Sequence, residues 1–429
     1  MRHARCSQAV VLVAAVASIA VAAPPPAGAQ ETWTRPDSAT LQRAREILVR
    51  HPVFDGHNDV AWEIRTHVGA PGDVDAYDLS GRAPGQTDIE RLLRGGVGAQ
   101  FWSVYIPGEY ADSGFARVQL EEIDIALRMI EKYPELVLAR TADEVEAAMR
   151  EGRIASLLGV EGGHAIENSL GALRVYERLG ARYMTLTHNV TLDWADAAMD
   201  EPRHGGLTAF GEEVVREMNR LGMLVDLSHV SDATMSDALS VSEAPVIFSH
   251  SSARALTDVP RNVPDSILAR MPDNGGVVMV TFVPSFVNQP LADWYAKVER
   301  ARDSLLAAGA DEDVVRLAFR QYREDFPPPP STLRDVADHI EHVRRIAGVD
   351  HVGIGSDFDG IGTPPAGLED VSAFPNLVAE LLRRGWSGGE IGQLTSGNVL
   401  RVMREAEAVA LRLQAARPPS TATPGSAFP

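Results

Sequence analysis

The chain has 429 residues, with 59 acidic against 40 basic side chains, a net charge of −19 and a single cysteine. A surface this acidic repels nucleic acid and anionic lipid, so neither is expected as a partner. The cysteine, Cys6, lies at the extreme N-terminus, which leaves the body of the chain without a disulfide, a thiol nucleophile or a thiolate metal ligand.

Basic Arg2 and Arg5, an apolar stretch from Val10 to Ala23 and the small residues Ala27-Gly28-Ala29 read as a secretory signal peptide over 1–29. Export to a periplasm or to the exterior is therefore expected, an uncleaved anchor being the alternative. The apolar stretch is short for a membrane span, and no other run reaches the roughly 18 residues that a spanning helix needs. Removing 1–29 takes away Arg2 and Arg5 and no acid, so the net charge moves from −19 to −21. Residues 30–416 are expected to form one domain, because barrels with insertions reach this size. The polar segment 417–429 reads as a disordered tail.

A helix is expected from Ser38 to Val49. Apolar runs at 52–56, 97–105, 154–160, 183–187, 223–227, 245–249, 276–283 and 351–356 then alternate with segments of helical spacing such as Ile123, Leu127, Ile130 and Val214, Val215, Met218, Leu221. Eight such alternations predict a (β/α)8 TIM-type barrel of parallel strands. Between the seventh and eighth strands lies an insertion at about 284–350, with one charged helical stretch from Leu291 to Tyr322 and then four prolines, 327–330. It is read either as a cap over the barrel mouth or as a surface excursion.

Five residues stand where the aliphatic runs stop: His57 and Asp59 after PVFDG, Glu161 after SLLGV, His229 after LVDLS and His250 after PVIFS. In a barrel the downstream ends of the strands converge on one face, so residues this far apart in sequence meet there. His57 and Asp59, two apart, share a face of an extended strand end. An ionised Glu161 beside an apolar strand needs a metal or another cation for a partner. Three histidines and two carboxylates suit two Zn²⁺ ions better than one. A carbamylated lysine cannot bridge them, because the only lysines, Lys132 and Lys297, fall in a helical stretch and in the insertion. Glu161 is the best-placed carboxylate for that task. For His229 or His250, taken singly, a structural role capping a helix is the competing reading.

Three further residues share the rim. His188 ends YMTLTH and can donate to a carbonyl oxygen, Arg261 in VPRNVPD offers a planar fork to a carboxylate, and Asp357 in GIGSDFD can move a proton to a leaving amine. His164, three residues after Glu161, is expected behind the site.

The motifs DGHND (55–59), VGAQFWSVY (97–105), GVEGGHAI (159–166), LTHN (186–189), WADAA (194–198), LGMLVDLSH (221–229), SHSSARAL (249–256), PRNVPD (260–265) and GIGSDFDG (353–360) resemble the membrane, or renal-type, dipeptidase family of zinc peptidases. The resemblance implies a barrel with two zinc ions, His57 and Asp59 matching ligands of one, His229 and His250 ligands of the other, and Glu161 the bridging glutamate. It also implies that His188, Arg261 and Asp357 hold a dipeptide substrate and that His188 and Asp357 serve catalysis, with a metal-bridging hydroxide as nucleophile. Val60-Ala61 stands where Leu-Pro is common, and 284–326 matches less clearly. Mammalian members are disulfide-linked and glycolipid-anchored; this chain offers neither feature, so a homodimer would form without a disulfide and membrane attachment beyond the signal segment is not expected. The other readings are a barrel hydrolase for a β-lactam, a lactone or an N-acyl amino acid, and a non-catalytic binding protein, the last opposed by the full set of five ligands.

Overall fold

A computed structural model describes residues 33–108 and 114–425; the expected signal peptide lies outside the described residues. A helix, Ser38–Arg50, leads in, begun by the Asp37 side chain accepting from the Thr40 backbone. The strands are β1 (Val53–Asn58), β2 (Val97–Ser103), β3 (Leu136–Leu138), β4 (Ile154–Glu161), β5 (Ala181–Thr185), β6 (Leu224–Asp226), β7 (Ile247–Phe248), β8 (Val277–Val280) and β9 (Val352–Ile354). Every pairing is parallel, and β2 joins β4 while β9 joins β1, so eight strands close into the (β/α)8 barrel that the alternation predicts.

β3 is the addition. It pairs with the first half of β4 through Leu136 and Ile154, while β5 takes the second half of the same edge from Leu158 onward. A three-residue run, LVL, is too short to signal a strand by periodicity.

The parallel strands are covered on both faces, which is why β4 is buried at all eight positions and its sequence is almost continuously apolar. Inward residues Phe54, Phe101, Leu157, Tyr183, Leu224, Ile247 and Met279 pack together with Leu400 and Met403 of the last helix, Asn398–Ala416. Outward residues meet the helix ring in a second, larger core. Helices Leu170–Leu179, Ala209–Leu221 and Asp232–Val241 start at Ser169, Thr208 and Ser231, whose side chains accept backbone N–H groups and so fix where each loop from the rim turns into helix.

The insertion differs from its expected form. The charged stretch is two helices, Gln289–Ala307 and Glu312–Asp325, because Gly309 takes a positive φ of 84° and the Asp311 side chain caps the second helix. Leu333–Ala347 buries Leu333, Val336, Ile340 and Val343 and serves as an ordinary barrel helix. The segment starts at the rim: the short helix Pro284–Val287 places Phe286 5.8 Å from the Arg261 guanidinium carbon, and Asn262 Nδ2 donates to the Phe286 carbonyl. Within the expected tail, Ser420 is bound by Arg174 at its carbonyl and donates its hydroxyl to Glu213. No helix among the described residues is long and apolar enough to cross a membrane.

Candidate metal centre

Seven of the eight rim residues expected from the sequence meet at strand ends on one face of the barrel, and Arg261 joins them from the loop after His250 by donating to the His250 carbonyl. His57 lies near the end of β1 and Asp59 just past it; Glu161 closes β4, and His188, His229, His250 and Asp357 follow β5, β6, β7 and β9 within a few residues. Three overlapping groups have ligand atoms within 4.8 Å of one another: His57, Glu161 and His250; Glu161, His188 and His229; and His57, Asp59 and Asp357. Glu161 lies at the junction. Its Oε2 is 3.4 Å from His57 Nε2, and its Oε1 is 3.0 Å from His229 Nε2, 3.4 Å from His250 Nε2 and 3.9 Å from His188 Nε2.

Each imidazole is held from behind. His57 Nδ1 is 2.8 Å from the Tyr183 hydroxyl, His229 Nδ1 is 3.0 Å from Asn189 Oδ1, and His250 Nδ1 is 2.8 Å from Ser249 Oγ. A ring tied at Nδ1 presents Nε2, the arrangement that orients metal-bound histidines. Ser103 Oγ donates to Glu161 Oε2 at 3.1 Å. None of these four partners stood out in the sequence. Ser249 and Asn189 each adjoin a rim histidine, but nothing in the residue type marks them, and Tyr183 is a barrel-interior residue like its neighbours.

The polar balance fits a cation. His57 Nε2 and Asp59 Oδ1 are buried without a hydrogen bond among the described residues, although His57 Nε2 is 3.3 Å from Asp59 Oδ2. Burial holds His229 and His250 well below the usual imidazole range, so both rings are neutral with a lone pair to give. Burial, helped by the charges of Asp59 and Glu161, pushes the Asp357 carboxyl well above the ordinary range. At Gly360 a Cβ would run into the carboxylates of Asp59 and Asp357, so a side chain there would break up this crowding of acids. His229 and Asp357 both adopt left-handed backbone, at φ 67° and 66°, which costs about 1–3 kcal/mol each and is a common mark of functional sites.

Arg261 is 1 % exposed. Its Nη1 donates to Ser251 Oγ at 2.6 Å and its Nη2 to the His250 carbonyl at 3.0 Å, while Nε has no partner among the described residues. The fork is therefore braced on protein, with Nε–H and a second hydrogen on each Nη left for a ligand. Burial lowers its pKa to about 10, so the cation survives at neutral pH. His188 stands at the mouth, its ring 4.9 Å from Tyr105 and 4.3 Å from His229. His164 Nε2 meets the Ile106 carbonyl at 2.9 Å, away from the cluster.

A closed parallel barrel with imidazoles and carboxylates converging at its rim defines the class of metal-dependent hydrolases. Residues 41–417 match the sequence profile of the membrane dipeptidases (peptidase family M19), and the chain belongs to that family: it is a metallo-dipeptidase. It is 42 % identical to Dipeptidase verJ of Clonostachys rogersoniana over 386 residues, 87 % of this chain and 89 % of that protein. It is 40 % identical to Dipeptidase 3 of Rattus norvegicus over 379 residues, 87 % of this chain and 69 % of that protein. Among solved structures, the probable dipeptidase PvdM of Pseudomonas aeruginosa superposes with a TM-score of 0.73 at 26 % identity, covering 87 % of this chain and 99 % of that one. A metallo peptidase of Rhodobacter sphaeroides, liganded with a phosphinate mimic of the dipeptide L-Ala-D-Ala, does so at 0.68 and 26 % identity, covering 83 % and 99 %.

Proposed function

We propose that this metallo-dipeptidase is an exported zinc enzyme in which His57 and Asp59 hold one ion, His229 and His250 hold a second, and Glu161 joins the two. The observation that carries the reading is the division of the Glu161 carboxylate, with Oε2 3.4 Å from His57 Nε2 and Oε1 3.0 Å from His229 Nε2. A bridging ligand has to face both halves of a centre with different oxygens. Imidazoles and carboxylates in a buried, thiolate-free site suit Zn²⁺. Zinc, when bound, supplies acidified water near neutral pH and polarisation of the scissile carbonyl, so no serine or cysteine nucleophile is needed.

The chain's own side chains bind and move protons. Arg261, braced by Ser251 and the His250 carbonyl, receives the substrate's C-terminal carboxylate on its remaining N–H groups. That contact limits the substrate to dipeptides, because a longer peptide has no carboxylate at that distance. His188 donates to the carbonyl oxygen as charge builds on it. Asp357, beside Asp59, takes a proton from the attacking water and delivers it to the departing nitrogen. The relative that holds a mimic of L-Ala-D-Ala favours a dipeptide with a D-residue in the second position as one substrate to try.

The test is metal analysis of the purified protein together with turnover of L,L- and L,D-dipeptides beside an N-acyl amino acid and a lactone. Two zinc ions per chain and hydrolysis confined to the dipeptides are expected. Turnover of the N-acyl amino acid in place of the dipeptides would move the reaction to another amide, and a chain holding one ion at full activity would remove the two-ion centre.

A further inference from the structure

Behind the His250 ring, polar groups that no step of the reaction uses form a line. Asp226, the last residue of β6, is fully buried, and both of its oxygens are occupied. Oδ1 accepts the backbone N–H of Ser228 at 3.1 Å and of Ser249 at 2.8 Å. Oδ2 accepts the hydroxyls of Thr185 at 2.5 Å and of Ser249 at 2.7 Å. A serine hydroxyl has one hydrogen. With that hydrogen given to Asp226, Ser249 Oγ can only accept from His250 Nδ1, 2.8 Å away. The imidazole proton is then on Nδ1, and Nε2 keeps its lone pair, aimed to within 3.0 Å of His229 Nε2 and 3.4 Å of Glu161 Oε1.

We propose that Asp226 is a positioning residue which, acting through Ser249, fixes His250 in the tautomer able to hold a metal ion. The inference rests on the reading of His250 as a ligand. His57 and His229 lean directly on a phenol and on an amide, whereas a carboxylate stands behind His250 one hydroxyl removed. The direction of the chain comes from Asp226 being able only to accept. Asparagine at 226 has the same shape and keeps an oxygen for the two backbone N–H groups, but it presents an amide N–H where Oδ2 stood. The Ser249 hydroxyl then receives a hydrogen bond from residue 226, and its own hydrogen is released to turn toward His250 Nδ1. That favours the proton on Nε2, where it blocks the metal.

The experiment titrates the zinc-loaded enzyme with a chelator. Asp226→Asn and Ser249→Ala should each weaken one of the two ions by roughly 10–100-fold, the usual cost of removing a group behind a ligand, and leave the other ion unchanged. The double variant should lose no more than either single one, because both substitutions cut the same chain. Proton NMR of the zinc-loaded wild type should show the His250 Nδ1–H as a slowly exchanging resonance that exchanges rapidly in Ser249→Ala. Additive losses in the double variant, or an equally protected His250 Nδ1–H in Ser249→Ala, would overturn the relay while leaving the metal centre intact. If Asp226→Asn does not fold, Ser249→Ala, which removes one buried hydroxyl, decides the matter by zinc affinity and by the Nδ1–H resonance. A wild-type protein that retains no zinc would take down the metal reading, and the relay with it.

Discussion

The Tyr183 hydroxyl lies 2.8 Å from His57 Nδ1, although 126 positions separate the two residues in the chain. The tyrosine ring reaches that place by lying against Gly159, where any Cβ would collide with it. Tyr183→Phe removes the hydrogen-bond partner of the buried His57 Nδ1. It should weaken one zinc ion by about 10–100-fold and lower stability by about 1–3 kcal/mol, the cost of an unsatisfied buried polar group. Chelator competition and thermal unfolding measure the two effects separately, and zinc affinity equal to that of the wild type would reject the role.

Glu161→Gln should weaken both ions together, by an amount on the order of 3–5 kcal/mol if it acts like the loss of one partner from a buried charge pair. His57→Ala should chiefly affect one ion. Metal content of the purified variants separates the cases, and two ions held at full affinity by Glu161→Gln would rule it out as the bridge.

A dipeptide amide should be a poor substrate. Losing a charge-assisted bond to Arg261 lowers kcat/KM by roughly 1.5–3 kcal/mol of transition-state binding. Tripeptides should fail for the same reason. Equal kcat/KM for a dipeptide and its C-terminal amide would mean that Arg261 serves only to brace Ser251 and the His250 carbonyl.

Asp357→Asn keeps the shape of the side chain but cannot carry a proton. Its kcat should fall by roughly 10² to 10⁴ with zinc content intact. An activated ester, whose leaving group needs little protonation, should suffer less than an amide. An equal fall for both, or activity lost only along with zinc, would make Asp357 a ligand or a structural residue.

Stability should depend on pH through Glu122, a buried carboxyl on the helix Phe115–Lys132 that approaches Arg65 Nη1 at 3.4 Å. Burial raises its pKa from 4.5 to about 8. Between those values the folded protein keeps a proton that the unfolded chain has released, so this group makes stability fall as pH rises through the window. Glu122→Gln has no proton to lose. Its Tm relative to wild type should therefore climb from about pH 5 to about pH 8 and then level off; a Tm difference independent of pH would contradict the assignment.

Much of the site was legible in the chain because a parallel barrel imposes one rule, that strands buried on both faces end at a common rim. His57, Asp59, Glu161, His188, His229, His250 and Asp357 each follow an aliphatic run, and the rule alone brings them together. The insertion was read as one charged helical stretch, because its continuous helical spacing hides a break of four residues that Gly309 and Asp311 make between two helices. β3 was not legible, since three residues carry no period and its place is made by the half-edge of β4 that β5 leaves open.

Residue type and spacing by themselves determined which side chains reach the rim and that they are of metal-ligating types. Only the closed fold decided how they are aimed. The orientation of an imidazole depends on what stands within 3 Å or so of its other nitrogen, and for His57 that group comes from β5 and for His229 from the loop beyond β5. Strand stagger around the barrel sets those meetings, together with the separate oxygens that Glu161 turns to its two neighbours and the bracing of Arg261. A hydrogen bond across the barrel leaves no periodic trace along the chain, because its two ends belong to different strands whose relative height is fixed only when the sheet closes.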